Sequence, residues 1–152
     1  MKKLAKPTPP EPAIDTRYLE TLMGYNARRA ALKAIGLFSQ RLAGFDISPV
    51  DFSVLSLIGH NPGITSRQLC SALNILPPNL VGKISAMEQR RMIDRRPHPQ
   101  DGRAVGLHLS AEGEKLMRHA EQVASQLEDE VASGLSAAEK KTLLRLLQKV
   151  YR

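Results

Sequence analysis

A mainly helical chain with one small β-hairpin is what this sequence predicts, and three observations predict it. Apolar residues recur at three- and four-residue steps over most of the 152 positions. Ser48, Thr65 and Ser136 each precede an acidic or amide side chain three residues on, the pattern of a capped helix start. The stretch from Ile93 to Leu109 alone abandons the helical period. It opens on Ile-Asp-Arg-Arg-Pro, crosses a tip crowded with Pro, Gly, Asp and Arg, and alternates through Val105-Gly106-Leu107-His108-Leu109.

Each element follows in order. From Thr16 to about Leu42, Leu19, Met23, Ala27, Ala30, Ala34, Phe38 and Leu42 form the stripe of one long amphipathic helix, which Gly44 breaks. Ser48 caps the next helix, Pro49 suits its first position, and Phe52, Leu55, Leu57 and Ile58 supply its buried side. Asn61-Pro62-Gly63 ends it. Thr65 opens a short helix containing Leu69, Cys70 and Leu73. After the turn Asn74-Ile75-Leu76, Pro77-Pro78 begins a helix running to about Met92, with Leu80, Ile84 and Met87 on one face. A strand from Ile93 to Pro97, a loop from His98 to Arg103 and a strand from about Ala104 to Leu109 make the hairpin. Ser110 caps a long helix striped by Leu116, Ala120, Val123, Leu127 and Val131, a seam suited to helix–helix packing. After Gly134, Ser136 starts a last helix with Leu143, Leu144, Leu147 and Val150.

Composition narrows the function. The length suits one domain with a real core. No apolar run approaches the ~18 residues of a membrane span, so no membrane partner is expected, and MKKLAKPTPPEP lacks an apolar signal core. That basic, then proline-rich start reads as a disordered tail, and the chain as cytoplasmic. A single cysteine, Cys70, leaves no internal disulfide and no cysteine-based zinc site. Cys70 lies on the apolar side of a short core helix and reads as a buried inert thiol. The four histidines show no ligand spacing, so no metal and no cofactor are expected. A net charge of +7 and a pI near 9.9 point to a polyanionic partner. Aromatics are only 4 % and Trp is absent, which disfavours base-stacking readers of single strands and favours duplex DNA.

Helix, short helix, turn, helix, then a hairpin with a charged tip is the order of a winged helix-turn-helix. In that arrangement the Pro77 helix offers its first turns to a major groove, and the hairpin is a wing holding cations toward phosphates or a narrow minor groove. The whole chain then reads as a tail over 1–15, an N-terminal dimerisation helix over 16–45, a winged helix-turn-helix DNA-binding domain over 46–109 and C-terminal dimerisation helices over 110–152.

From Ser48 to Leu116 the sequence resembles the DNA-binding core of the MarR family of bacterial transcription regulators. The likeness rests on Leu69, on Met87-Glu88 where Leu-Glu is usual, and on Arg95 or Arg96 in the first wing strand. It rests too on Asp101 and Arg103 at the wing tip and on Leu109-Ser110 followed by Gly113. Two departures stand out: Asp-Gly-Arg at the tip where Asp-Arg-Arg is common, and Arg91 where a glycine is usual. The resemblance implies a homodimer, joined through its first and last helices, that binds a pseudo-palindromic operator with half-sites about 34–36 Å apart. It implies a ligand-responsive repressor. The run LMGYNARRAALKA is similar to a subgroup regulating aromatic-compound degradation, whose effectors are aromatic acids or their coenzyme A thioesters.

Candidate site residues follow. Asn79 and Lys83 are placed for base edges, with Pro77 and Pro78 at the groove surface. By the resemblance Arg103 enters the minor groove, steadied by Asp101. Arg95 and Arg96 alternate along their strand, so one of the two is expected to face DNA. Ser66 and Arg67, at a helix start, are phosphate contacts. Tyr25, Arg28, Arg29, Phe52 and His60 are candidates for the effector, the cations meeting a carboxylate or phosphates. For Arg28 and Arg29 the plainer reading is a solvated helix face or an ion pair. Two alternatives compete with the regulator: a winged-helix protein–protein module without DNA specificity, and an enzyme. Against the enzyme, the chain has no GxSxG, HExxH, CxxC or phosphate-loop spacing.

Overall fold

The computed structural model describes residues 14–98 and 101–152, with the backbone alone at His98 and at 101–103. The chain divides after Lys33 into an N-terminal unit and a larger unit, Ala34–Arg152.

The single helix expected from Thr16 is two: α1 (Arg17–Glu20) and α2 (Met23–Arg41). The break at Thr21 and Leu22 has a local cause. Thr21 Oγ1 donates to the Tyr18 carbonyl at 2.7 Å, and Asn26 Nδ2 donates to the Glu20 and Leu22 carbonyls at 2.8 Å each. Side chains that satisfy backbone carbonyls offer the chain an alternative to the helical ladder.

In the larger unit a 3-10 turn, Ala43–Phe45, follows α2 and leads to α3 (Pro49–His60), α4 (Ser66–Leu73) and α5 (Pro77–Gln89). The capping boxes at Ser48 and Thr65 form in full, each hydroxyl accepting the N–H of the third helical residue while that residue's side chain accepts the cap's own N–H. Val54, Leu55 and Ile58 of α3, Leu69 of α4, and Leu80, Ile84 and Met87 of α5 are buried in one core with Phe38, Leu42, Met92, Ile93 and Leu107. Burying an aliphatic side chain of this size contributes roughly 1.5–3 kcal/mol, so α3, α4 and α5 are held chiefly by this shared core.

The wing is β1 (Ile93–His98) paired antiparallel with β2 (Asp101–Leu109). Pairing extends further than expected: the loop read over His98–Arg103 contracts, and β2 begins at Asp101. Ile93 faces Leu109, Arg95 faces Leu107 and Pro97 faces Val105, but His98 faces Asp101, so the register shifts at Pro97. Proline has no N–H to give to the ladder, and a bulge there lets pairing resume beyond it. The connecting residues 99–100 lie outside the described ones. On the other side of β2, Leu107 has a second neighbour: Gly63 N–H donates to the Leu107 carbonyl at 2.8 Å, and Leu107 N–H to the Ile64 carbonyl at 2.9 Å.

The end of α5 resolves the question raised by Arg91. Arg91 N–H donates to the Glu88 carbonyl and Met92 N–H to the Met87 carbonyl, each at 2.9 Å. This is the paired hydrogen bonding of a Schellman turn, with Arg91 at the left-handed position, φ 56°. Glycine usually fills that position without strain; here an arginine does. Ser110 then ties α6 (Ala111–Val131) to the same point: its N–H donates to the Met92 carbonyl at 3.0 Å and its Oγ to the Arg91 carbonyl at 2.5 Å. A Cβ on Gly113 would sit 2.0 Å from the Met92 carbonyl oxygen, so only glycine fits where α6 crosses the chain.

Met117, Ala120 and Leu127 of α6 are buried, with Leu116, Val123 and Val131 half-buried beside them. Arg41 closes on Glu130 at 2.6 Å. The last helix, α7 (Ala137–Tyr151), starts at the expected Ser136 capping box but buries none of its residues. Among the described residues no helix is long and apolar enough to cross a membrane.

Candidate nucleic-acid interface

Three surfaces of the larger unit carry the residues read as DNA contacts. The first is the start of α5. Its N-cap, Leu76, gives no side-chain bond, and Pro77 and Pro78 fill the first helical positions, where a missing N–H costs nothing. Leu80, Ile84 and Met87 turn inward. Pro77, Pro78 and Asn79 are exposed, and the Asn79 amide makes no side-chain hydrogen bond among the described residues, leaving both its donor and its acceptor open.

The second surface is the start of α4. Ser66 is half-buried and Arg67 exposed, and Arg67 has no ion-pair partner among the described residues. Ser66 and Arg67 share with Pro77, Leu80, Val81 and Cys70 a cleft of about 270 Å³. The structure thus brings the expected phosphate contacts beside the expected groove surface. Cys70 is half-buried against the core.

The third is the wing. Arg95 Nε donates to Glu88 of α5 at 2.9 Å, while Arg96 pairs with Asp94 on its own strand at 3.3 Å. Arg95 shares its side of the hairpin with Leu107, the inward face, and Arg96 shares the opposite side with Gly106. The side chains of Asp101 and Arg103 lie outside the described residues.

Lys83, expected to donate to a base, is paired with a carboxylate. Its ammonium lies 2.8 Å from Asp51 Oδ1 on the first turn of α3, both side chains being largely covered. Burial pulls the Asp51 carboxyl upward, but hydrogen bonds from Lys83 and from the Ser48 hydroxyl and N–H outweigh it and hold the carboxyl below the usual range. Sequence reading missed this because it saw Asp51 only as a cap; the link to α5 spans two helices.

Of the effector candidates, Tyr25 is half-buried and Arg28 and Arg29 are exposed on α2. In the larger unit, Phe52 packs edge-on against Phe38 with ring centroids 5.2 Å apart. His60 Nε2 lies 3.0 Å from Glu121 Oε1, which also accepts from Ser56 Oγ at 2.9 Å. Among the described residues no cluster of three or more His, Cys, Asp or Glu is placed to hold a metal ion.

Comparison with known proteins agrees with this geometry. The MarR family profile matches residues 45–104, from the turn before α3 into the wing. A putative transcriptional regulatory protein for the hcr operon of Thauera aromatica is 27 % identical over 131 residues, covering 86 % of this chain and 79 % of that protein. The transcriptional repressor CouR, solved on a 23-mer DNA duplex, superposes with a TM-score of 0.85 at 30 % identity, covering 93 % of this chain and all of that one. CouR solved with p-coumaroyl-CoA gives 0.80 at 29 % identity, covering 92 % and 99 % of the two chains. With a short capped α4 presenting α5, a two-stranded wing after it and these likenesses along nearly its whole length, the chain belongs to the MarR family of DNA-binding transcription regulators.

Proposed function

We propose that the chain is a ligand-responsive repressor that binds a pseudo-palindromic operator as a homodimer and is released by a small aromatic acid or its coenzyme A thioester. The observation that carries the DNA part is the exposed first turn of α5 beside the start of α4, where neither the Asn79 amide nor Arg67 has a side-chain partner among the described residues. In this reading Pro77, Pro78 and Asn79 meet base edges and Ser66 and Arg67 a phosphate, while Asp101 and Arg103 take the wing into the minor groove. Arg96, on the outward side of β1, is the wing-strand cation turned to DNA, and its site of action is the cytoplasm.

Pairing of two copies is supported by α7, whose Leu143, Leu144, Leu147 and Val150 remain 41–59 % exposed in a single chain. The effector class is supported by the p-coumaroyl-CoA held by CouR, a 29 % identical protein. Arg28 and Arg29 supply cations suited to a carboxylate or to phosphates.

Gel shift with the chain's own upstream DNA tests the reading. Affinity should fall steeply with salt as phosphate contacts release counterions, and Arg103→Ala should weaken binding and flatten that dependence. Equal binding by the parent and the variant across a salt series defeats the wing assignment. In a thermal-shift screen, aromatic acids or their thioesters should raise the melting temperature, and no shift with any of them removes the effector class.

A further inference from the structure

In α5, thirteen residues long, only Lys83 and Glu88 are charged, and both are already engaged. Lys83 is held by Asp51 at 2.8 Å and Glu88 by Arg95 of the wing at 2.9 Å. Just past the helix, Arg90 reaches Asp46 at 3.2 Å. Lys83 and Arg90 are two helical turns apart and therefore on one flank, and their partners Asp46 and Asp51 bracket the entry to α3. Glu88 lies on the other flank, toward β1. The face left between the flanks presents Pro78, Asn79, Val81, Gly82, Ala86 and Gln89, all exposed and none charged.

We infer that Lys83 is a positioning residue that sets the angle of α5 through Asp51 and makes no contact with DNA, so that α5 enters the groove on an uncharged face gripped from both sides by ion pairs. The two links, Arg90 to Asp46 and Lys83 to Asp51, are unequal. Asp46 is 94 % exposed and its pair is worth little, whereas Asp51 and Lys83 are largely covered and share a carboxylate that also caps α3. One carboxylate therefore fixes both the start of α3 and the roll of α5. A cation committed in this way does not release counterions when DNA binds. The salt dependence of binding must then come from the start of α4 and from the wing.

The inference rests on the reading that the chain binds duplex DNA, and the experiment separates the two. Duplexes are first selected from a random-sequence pool with the parent protein, and their affinities are read by fluorescence anisotropy across a salt series. Lys83→Met and Asp51→Asn should each weaken binding by roughly 3- to 10-fold, and the double variant by no more than either alone, because both break the same pair. Lys83→Gln, which can still donate to Asp51, should bind close to the parent and covers the case in which Lys83→Met does not fold. The slope of log affinity against log salt should match the parent in every variant.

A slope shallower by about 1 in Lys83→Met and Lys83→Gln means a phosphate contact and overturns the inference. So does a relaxed preference at a single base pair while Asp51→Asn binds like the parent. If the parent selects no duplex at all, the DNA reading itself falls, a result distinct from any change among the variants.

Discussion

Two helices of similar length, α5 and α7, complete themselves in opposite ways. α5 buries Leu80, Ile84 and Met87 in its own chain and has both its charges paired. α7 carries a denser apolar stripe yet buries none of it. An amphipathic helix gains most of its stability from packing its apolar face, so α7 as a single chain is an unfinished structure and α5 is a finished one. One helix presents an uncharged outer face; the other leaves its apolar stripe uncovered in the single chain.

The contrast can be broken at several points. Ile84→Ala should cost about 2–5 kcal/mol of unfolding free energy by leaving a cavity in the shared core, and denaturant titration should show the same loss at every protein concentration. Leu144→Asp with Leu147→Asp should instead lower operator affinity by roughly 100-fold through loss of the second half-site, with sedimentation reporting monomers; a stable dimer would mean that α7 is not the joining surface. Arg91→Gly should stabilise the fold by about 1 kcal/mol, since it relieves a left-handed side chain and keeps both turn hydrogen bonds. The smallest effect concerns pH. The Asp51 carboxyl lies below its ordinary 3.8, so its contribution is complete above that value and disappears as pH falls through the lower, folded one. The melting temperature of Asp51→Asn should therefore fall less than the parent's below about pH 4, and the gap between the two should be constant near neutrality.

What was legible in the sequence was local. The boxes at Ser48, Thr65 and Ser136, the prolines at the start of α5 and the inward face Leu80-Ile84-Met87 all depend on residues a turn apart, and all form as expected. The break at Thr21 escaped notice because the apolar stripe runs straight across it, while Asn26 takes the carbonyls from behind. The length of β2 was underestimated because Asp101, Gly102 and Arg103 read as loop, whereas they are strand, with a register shift between Pro97 and His98. That Asn79 and Arg67 lie exposed near helix starts was legible, because a helix start is a local fact. The Lys83–Asp51 pair was not, since the two residues lie 32 apart and no periodicity links them.

The crossing at Gly113 has a mechanical consequence. Met92 joins the end of α5 to the beginning of α6: its N–H donates to the Met87 carbonyl, and its own carbonyl accepts from Ser110 N–H against the bare Cα of Gly113. Met92 and Ser110 thus form a short hydrogen-bonded joint between the two helices, and any side chain at position 113 would force it apart.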